Sequence, residues 1–128
     1  MIVLDTHVWL WWAGGIPGLS SRADAELERA DRVGICTISC WELAMLSRLR
    51  RIELDRDVRS WIALALADDR VETLALDSRI AAAAGALDEG LPGDPVDRIV
   101  YATARALDAP LVTKDRRLRA YDRERTLW

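Results

Sequence analysis

Four acidic residues occupy positions from which their carboxylates could meet at one edge of a sheet. Asp5 comes directly after the apolar run Ile2–Leu4, and Asp115 comes shortly after a second apolar run at residues 111–113. Glu42 and Asp97 lie in the first turns of helices that the sequence predicts. In open α/β sheets, ligands bind beyond the carboxyl ends of the strands, so these four side chains are candidates for a shared site.

The residue types present limit which ligand such a site could bind. Carboxylates that converge repel one another and raise one another's pKa unless a cation neutralises them. An all-oxygen set of ligands suits a hard divalent ion, Mg²⁺ or Mn²⁺. The chain has one histidine, His7, and two cysteines, Cys36 and Cys40, which together cannot form the usual zinc cages. We expect the two cysteines to be packed thiols instead.

Asp5 and Glu42 differ in how well a structural role explains them. Ser39 and Glu42 have the spacing of a capping box, in which Glu42 bonds back to the amide of Ser39. Asp5 begins no convincing helix cap, and a carboxylate at the end of a buried strand is costly without a partner. The hydroxyls of Ser39, Thr6 and Thr113 could orient carboxylates, or could serve as caps and strand-end groups.

The other acids also have structural interpretations. Asp94 followed by Pro95 is typical of a helix start, and Asp97 would then favour the helix dipole. Asp115 is a reasonable N-cap for the helix that follows it. From the residues alone, a structural role at a helix start is favoured over metal binding for Glu42, Asp97 and Asp115, and also for Asp94, whereas a functional role is favoured for Asp5.

Short apolar strands alternate with helices along the whole chain. Strands are predicted at residues 2–4, 33–37, 71–76 and 111–113, with a last edge strand at 126–128. Helices are predicted at residues 8–12, 22–30, from Ser39 onward, 57–67, 78–87, 95–107 and 115–121. This alternation predicts an α/β protein with a parallel sheet covered on both faces. Neither repeats nor a linker interrupt the chain, so we expect a single domain over residues 1–128.

Composition narrows the class of protein. The chain has 128 residues, 51% of them hydrophobic and 30% charged, which excludes disorder. Its longest uncharged run, residues 6–21, is interrupted by glycine and proline and is too short to span a bilayer. With no signal peptide or disulfide framework, we expect a soluble cytoplasmic protein without a membrane partner. The net charge of −3 argues against indiscriminate coating of nucleic acid, although arginines cluster locally at residues 48–51 and 114–125.

At these positions the sequence resembles the PIN domains, and within them the VapC-type toxins of bacterial toxin–antitoxin pairs. Four segments carry the resemblance, in the family's order and with family-like separations: Ile2-Val3-Leu4-Asp5-Thr6-His7, Ser39-Cys40-Trp41-Glu42-Leu43-Ala44, Asp94-Pro95-Val96-Asp97-Arg98 with Ala102-Thr103-Ala104, and Leu111-Val112-Thr113-Lys114-Asp115. The resemblance implies a three-layer α/β/α fold whose sheet has about five parallel strands in the order 3-2-1-4-5.

The resemblance also implies a metal-dependent endoribonuclease that acts as a toxin. Its catalytic and metal-binding acids would be Asp5, Glu42, Asp97 and Asp115, with Asp94 a possible further ligand. One or two Mg²⁺ or Mn²⁺ ions would activate water and neutralise charge on the phosphate. Candidate RNA contacts are the basic residues beside these acids, namely Arg98, Lys114, Arg116 and Arg117. The implied partners are RNA, a cognate VapB-type antitoxin and a second copy of the chain.

Two other functions are compatible with parts of the pattern. A phosphoacceptor receiver domain has a similar length and sheet, but the strand at residues 33–37 ends without the acceptor aspartate that it needs. A non-catalytic PIN-like module for RNA binding or assembly would not need all four acids. Trp9, Trp11 and Trp12 exceed what one helix face can bury, so part of this group could face a partner.

Overall fold

A five-stranded parallel sheet forms the centre of the protein, in a computed structural model that describes residues 1–91 and 93–128. The strands lie in the order β3-β2-β1-β4-β5, as expected. β1 pairs with β2 on one side and with β4 on the other. The strands are β1 (Ile2–Leu4), β2 (Val33–Cys36), β3 (Val71–Leu74), β4 (Leu111–Val112) and β5 (Thr126–Leu127).

Helices cover both faces of the sheet and complete the three-layer fold. Alternate residues of β1 point to opposite faces: Ile2 and Leu4 pack with α1 to α4, whereas Val3 packs with α6 and α7. The helices are α1 (Thr6–Gly14), α2 (Ser21–Arg29), α3 (Thr37–Arg48), α4 (Val58–Ala65), α5 (Ser78–Gly85), α6 (Pro95–Ala106) and α7 (Arg116–Tyr121). Over the described residues, none of these helices has the length and apolar content needed to cross a membrane.

Five of the helices begin at a side-chain cap, as predicted for Asp94 and Asp115. The side chains that accept hydrogen bonds from first-turn amides are those of Ser20, Asp57, Asp77, Asp94 and Asp115. Each of these oxygens satisfies an amide that has no partner inside the helix. The caps fix where the chain leaves each loop, and two of them belong to segments that carry candidate site residues.

The start of α3 differs from the prediction. The helix begins at Thr37, with Cys36 as its N-cap, so Ser39 is already inside the first turn. The predicted capping box of Ser39 and Glu42 is therefore wrong, because β2 continues into α3 without a loop. The Ser39 side chain is fully buried and contacts Thr6 instead, which leaves Glu42 without a capping role.

Candidate active site

Strand pairing brings Asp5 and Asp115 to the same edge of the sheet. Leu4 of β1 lies beside Val112 of β4, and the Asp5 amide donates to the Val112 carbonyl at 3.0 Å. Asp5 therefore follows β1 at the level where β4 ends, and Asp115 begins α7 just beyond. This is the carboxyl edge of a parallel sheet, where the strand-end argument expected the two acids to meet.

The Asp5 carboxylate is buried and held on both oxygens. Oδ1 accepts from the Thr6 amide at 2.7 Å, and Oδ2 accepts from the Thr113 hydroxyl at 2.7 Å. The expectation that Asp5 begins no helix cap is wrong, since it immediately precedes α1 and bonds to the helix's first amide. Burial nevertheless raises the pKa of this carboxyl, and the nearby Asp115 charge raises it further.

Buried hydroxyl groups support the acids. The Thr113 side chain donates to Asp5 and accepts from the Asp115 amide at 3.0 Å, so one hydroxyl contacts both strand-end segments. On the other side of Asp5, the Thr6 hydroxyl donates to the Ser39 hydroxyl at 3.0 Å and ties α1 to α3. All three hydroxyl side chains are buried, which restricts their rotation and that of the groups they hold.

Glu42 approaches the same site from the second turn of α3. Burial raises the pKa of its carboxyl, a hydrogen bond from Thr6 lowers it, and the charges of Asp5 and Asp94 raise it. These influences show that Glu42 lies within electrostatic range of acids that come from β1 and α6. Helix capping does not explain its presence here.

Asp97 has a strongly perturbed carboxyl. Its pKa is raised to about 7, first by burial and then by the charges of Asp5, Asp94, Asp115 and Glu42. The four predicted acids therefore interact electrostatically, and Asp94 belongs to the same acidic surroundings. A carboxyl whose pKa is raised this far lies where several negative charges are close together and no positive charge neutralises them.

Asp94 and Asp115 also perform the capping roles that the sequence suggested. Asp94 Oδ1 accepts from the Val96 and Asp97 amides at 2.9 and 3.3 Å. Asp115 Oδ1 accepts from the Arg117 and Leu118 amides at 2.7 and 3.2 Å. In both residues the second carboxylate oxygen makes none of these amide bonds, so capping does not exclude a further role for either side chain.

The donor chemistry of this site fits a hard divalent cation. Every candidate ligand is a carboxylate or hydroxyl oxygen, which Mg²⁺ and Mn²⁺ prefer. The raised pKa of Asp97 is the electrostatic response expected of acids whose charge a cation would neutralise. Within the described residues, however, no group of three or more acidic, histidine or cysteine side chains is set at metal-ligand spacing. The side chains would have to move together to enclose an ion.

The four basic residues predicted to contact RNA have different surroundings. Arg98 donates to the backbone carbonyls of residues 84, 87, 88 and 91, and so holds the loop that follows α5. Arg117 lies 3.7 Å from Asp115. Lys114 and Arg116 are exposed beside the acids. The structure therefore gives Arg98 a structural function, while Lys114 and Arg116 face solvent near the site.

Comparison with known proteins adds a family to this geometry. The PIN domain family model matches residues 2–124 of the chain. Ribonuclease VapC22 of Mycobacterium tuberculosis is 42% identical over 99% of this chain and 98% of its own length. Similar solved structures include VapBC2 from Rickettsia felis bound to a promoter DNA fragment, with 19% identity and a TM-score of 0.71 over 99% of this chain and 98% of that one.

A toxin–antitoxin complex from Klebsiella pneumoniae has the same fold, with 18% identity and a TM-score of 0.69 over 100% of this chain and 97% of that one. At such identities the structural matches show the fold alone. The family match and the 42% identical relative go further. The chain belongs to the PIN-domain family, and within that family to the VapC type.

Proposed function

We propose that this protein is a Mg²⁺-dependent endoribonuclease, with Mn²⁺ as a possible substitute, and that it acts as the toxin of a toxin–antitoxin pair. The observation that carries the proposal is the convergence of acids at the carboxyl edge of the sheet, where burial, and then the charges of Asp5, Asp94, Asp115 and Glu42, raise the pKa of Asp97 to about 7. The name of the relative, Ribonuclease VapC22, supports RNA as the substrate. Cleavage of RNA needed for translation would then inhibit growth.

Asp5, Asp97 and Asp115 would hold one or two metal ions, and Glu42 would complete the set. Asp94 stays available through its second carboxylate oxygen. When bound, the ion supplies positive charge that offsets the phosphate and favours activation of water. The protein itself orients the ligands. Hydrogen bonds on both oxygens fix the Asp5 carboxylate at the sheet edge, close to the other acids.

The surrounding residues would bind the substrate and the partners. Lys114, Arg116 and Arg117 lie beside Asp115 and are proposed to contact phosphates of the RNA. Arg98 is left out because its guanidinium is occupied by backbone carbonyls. The proposed partners are a VapB-type antitoxin and a second copy of the chain. The similarity to the solved VapBC2 structure supports the antitoxin. The cytoplasm is the proposed location.

The test compares purified wild-type protein with Asp5→Asn, which removes the charge but keeps the size of the side chain. We expect wild-type protein with Mg²⁺ to cut RNA, and expect EDTA or the substitution to reduce the rate at least ~100-fold. Expression of the wild-type chain without an antitoxin should arrest growth, whereas Asp5→Asn should not. Wild-type cleavage rates in folded Asp5→Asn protein would refute the assignment. RNA binding without any cleavage would identify the non-catalytic module instead.

A further inference from the structure

Four arginines from two distant parts of the chain line one groove near the candidate active site. Arg22 comes from α2, Arg116 and Arg119 come from α7, and Arg123 comes from the turn that follows. Ala120, Thr126 and Trp128 complete a groove of about 490 Å³. The spacing of Arg116 and Arg119 places both on one face of α7, and Arg123 lies in the turn after the helix ends at Tyr121.

The charges in this groove have no acidic partners. In residues 1–91 and 93–128, none of Arg22, Arg116, Arg119 and Arg123 takes part in an ion pair. The neighbouring arginines differ, since Arg125 is paired with Asp108 and Asp122 and Arg117 is near Asp115. Four unpaired guanidinium groups that line one groove repel one another, so the groove favours an anion.

An aromatic strip connects the groove to the acids. The rings of Trp11 and Trp128 lie 5.9 Å apart, and the Lys114 ammonium lies 5.4 and 5.9 Å from their centroids. His7 continues the strip, 6.1 Å from Trp11. His7 comes two residues after Asp5, and Lys114 immediately precedes Asp115. The tryptophans are only half-buried, unlike Trp9, which lies entirely in the core.

We propose that the arginine groove and the Trp11–Trp128 strip bind the single-stranded RNA segment that flanks the cleaved bond. The guanidinium groups would hold successive phosphates, and the tryptophan rings would stack against bases. Basic grooves combined with aromatic faces are the means by which proteins bind single-stranded nucleic acid. This inference rests on the proposed ribonuclease function, which places a phosphate of the same strand at the carboxylates.

An acidic peptide is the main alternative occupant, because carboxylates also pair with arginine. Two features favour RNA. Trp128 lines the groove and its ring lies 5.9 Å from the ammonium of Lys114, the residue before Asp115. Aromatic side chains in this place are a feature that an acidic peptide does not require. A phosphodiester strand uses both kinds of contact at once.

The experiment measures binding of a fluorescein-labelled, unstructured RNA 20-mer to the full chain in EDTA, so that no cleavage occurs. Asp5→Asn protein is used for the same measurement with Mg²⁺. Arg119→Ala/Arg123→Ala should weaken RNA binding about tenfold, and should reduce the slope of log affinity against log salt by about 1.4, or roughly 0.7 for each lost phosphate contact. Arg29→Ala/Arg79→Ala removes the same charge from exposed positions outside the groove and should change neither quantity.

The tryptophan strip has its own signature. Trp128→Leu should weaken binding about fivefold or more while leaving the salt slope unchanged, because stacking releases no counterions. Trp128→Phe keeps an aromatic face and should retain most of the affinity. This conservative variant also shows whether any loss in Trp128→Leu comes from misfolding.

The outcomes separate this inference from the proposed function. If wild-type protein cleaves RNA but the double arginine variant binds and cleaves as wild type, the groove assignment is wrong and the ribonuclease proposal stands. If wild-type protein neither cleaves nor binds RNA, the proposed function fails first. Equal affinity for a blunt RNA duplex would overturn the single-strand assignment. Loss of poly-L-glutamate binding with unchanged RNA binding would identify an acidic peptide as the occupant.

Discussion

Thr113 is the residue whose hydroxyl contacts both strand-end acids. It donates to Asp5 Oδ2 at 2.7 Å and accepts from the Asp115 amide at 3.0 Å, in a fully buried position. A hydroxyl in this place fixes the direction of the Asp5 carboxylate and the start of α7 together. Its effect on catalysis would act through the acids, so Thr113 is a positioning residue.

Thr113→Val is expected to lower both activity and stability. The isosteric methyl group leaves a buried carboxylate oxygen and a backbone amide without partners, which costs about 1–3 kcal/mol. We expect a cleavage rate at least ~10-fold lower and a weaker apparent affinity for Mg²⁺. Cleavage assays across a Mg²⁺ titration, with urea unfolding of the same preparation, measure the two effects.

Thr113→Ser is the matched control, because it keeps the hydroxyl and removes only a methyl group. It should recover most of the activity that Thr113→Val loses. If Val and Ser behave alike, the hydroxyl bond to Asp5 does not position the carboxylate, and the loss reflects packing alone.

At the scale of elements, α6 depends on its first residues for both its start and its chemistry. Asp94 caps the helix with two amide bonds, and Asp97 in the same turn carries a carboxyl whose pKa is raised to about 7. Asp94→Ala should destabilise the protein by about 1 kcal/mol, whereas Asp94→Asn keeps the cap and should stay close to wild type. Urea unfolding checks this difference.

The same two variants decide whether Asp94 is also a metal ligand. If it only caps α6, Asp94→Asn cuts RNA at close to the wild-type rate, since the amide oxygen replaces the capping carboxylate. A drop of ~10-fold or more in Asp94→Asn, with unchanged stability, would instead assign its free oxygen to the metal.

The order and type of the elements could be predicted from sequence because β1, β2 and β4 are short apolar runs, β3 alternates in part, and most helices carry a side-chain cap. The boundaries near the site could not. α1 begins at Thr6 and α3 begins at Thr37, each directly after a strand. A chain that passes from strand to helix without a loop leaves no turn residue to mark the boundary.

The acids of the site could be predicted for the same reason that the strands could, since each follows or begins a recognisable element. The contacts of Arg22 and Arg98 could not be predicted from the sequence. Arg22 joins the arginines of α7 only through the folded packing of α2, and Arg98 binds loop carbonyls that no local pattern announces. Tertiary proximity has no signature in a single sequence when the partners are far apart in the chain.

Across the whole molecule, the small net charge of −3 does not reveal two local groups of like charge. Acids gather at the carboxyl edge of the sheet, and arginines line the neighbouring groove. The like charges within each group repel one another and destabilise the folded state, so other interactions in the fold must offset this cost. Such a cost is common where function and stability compete. The exposed ion pairs, such as Arg29 with Glu26 and Arg79 with Asp77, offset little of it because solvent screens them.

The stability of the whole chain should therefore depend on pH and on metal through Asp97. Its folded pKa of about 7 is above the ordinary value of 3.8, so the folded state binds the proton more tightly than the unfolded state. By linkage, the contribution of this group to stability is present at low pH and is lost as pH rises from about 4 to about 7. In EDTA, wild-type protein should melt about 4–8 °C lower at pH 8 than at pH 5.5, a difference on the order of 1–2 kcal/mol after solvent screening.

Asp97→Asn removes this ionisation and should melt above wild-type protein at pH 8, while losing RNA cleavage. Its melting temperature should fall less between pH 5.5 and pH 8 than that of wild-type protein, with the remaining fall due to Asp5 and Glu42, whose pKa values are also raised. Mg²⁺ should raise the wild-type melting temperature at pH 8, because binding to the folded state alone stabilises it, and should have little effect on Asp97→Asn. Asp69→Asn, at an exposed aspartate away from the site, controls for the loss of one negative charge. Differential scanning calorimetry of the three proteins, with and without Mg²⁺, makes the comparison. An Asp97→Asn protein that is less stable than wild type in EDTA at pH 8 would contradict the idea that crowded carboxylates cost the fold stability when no cation is bound.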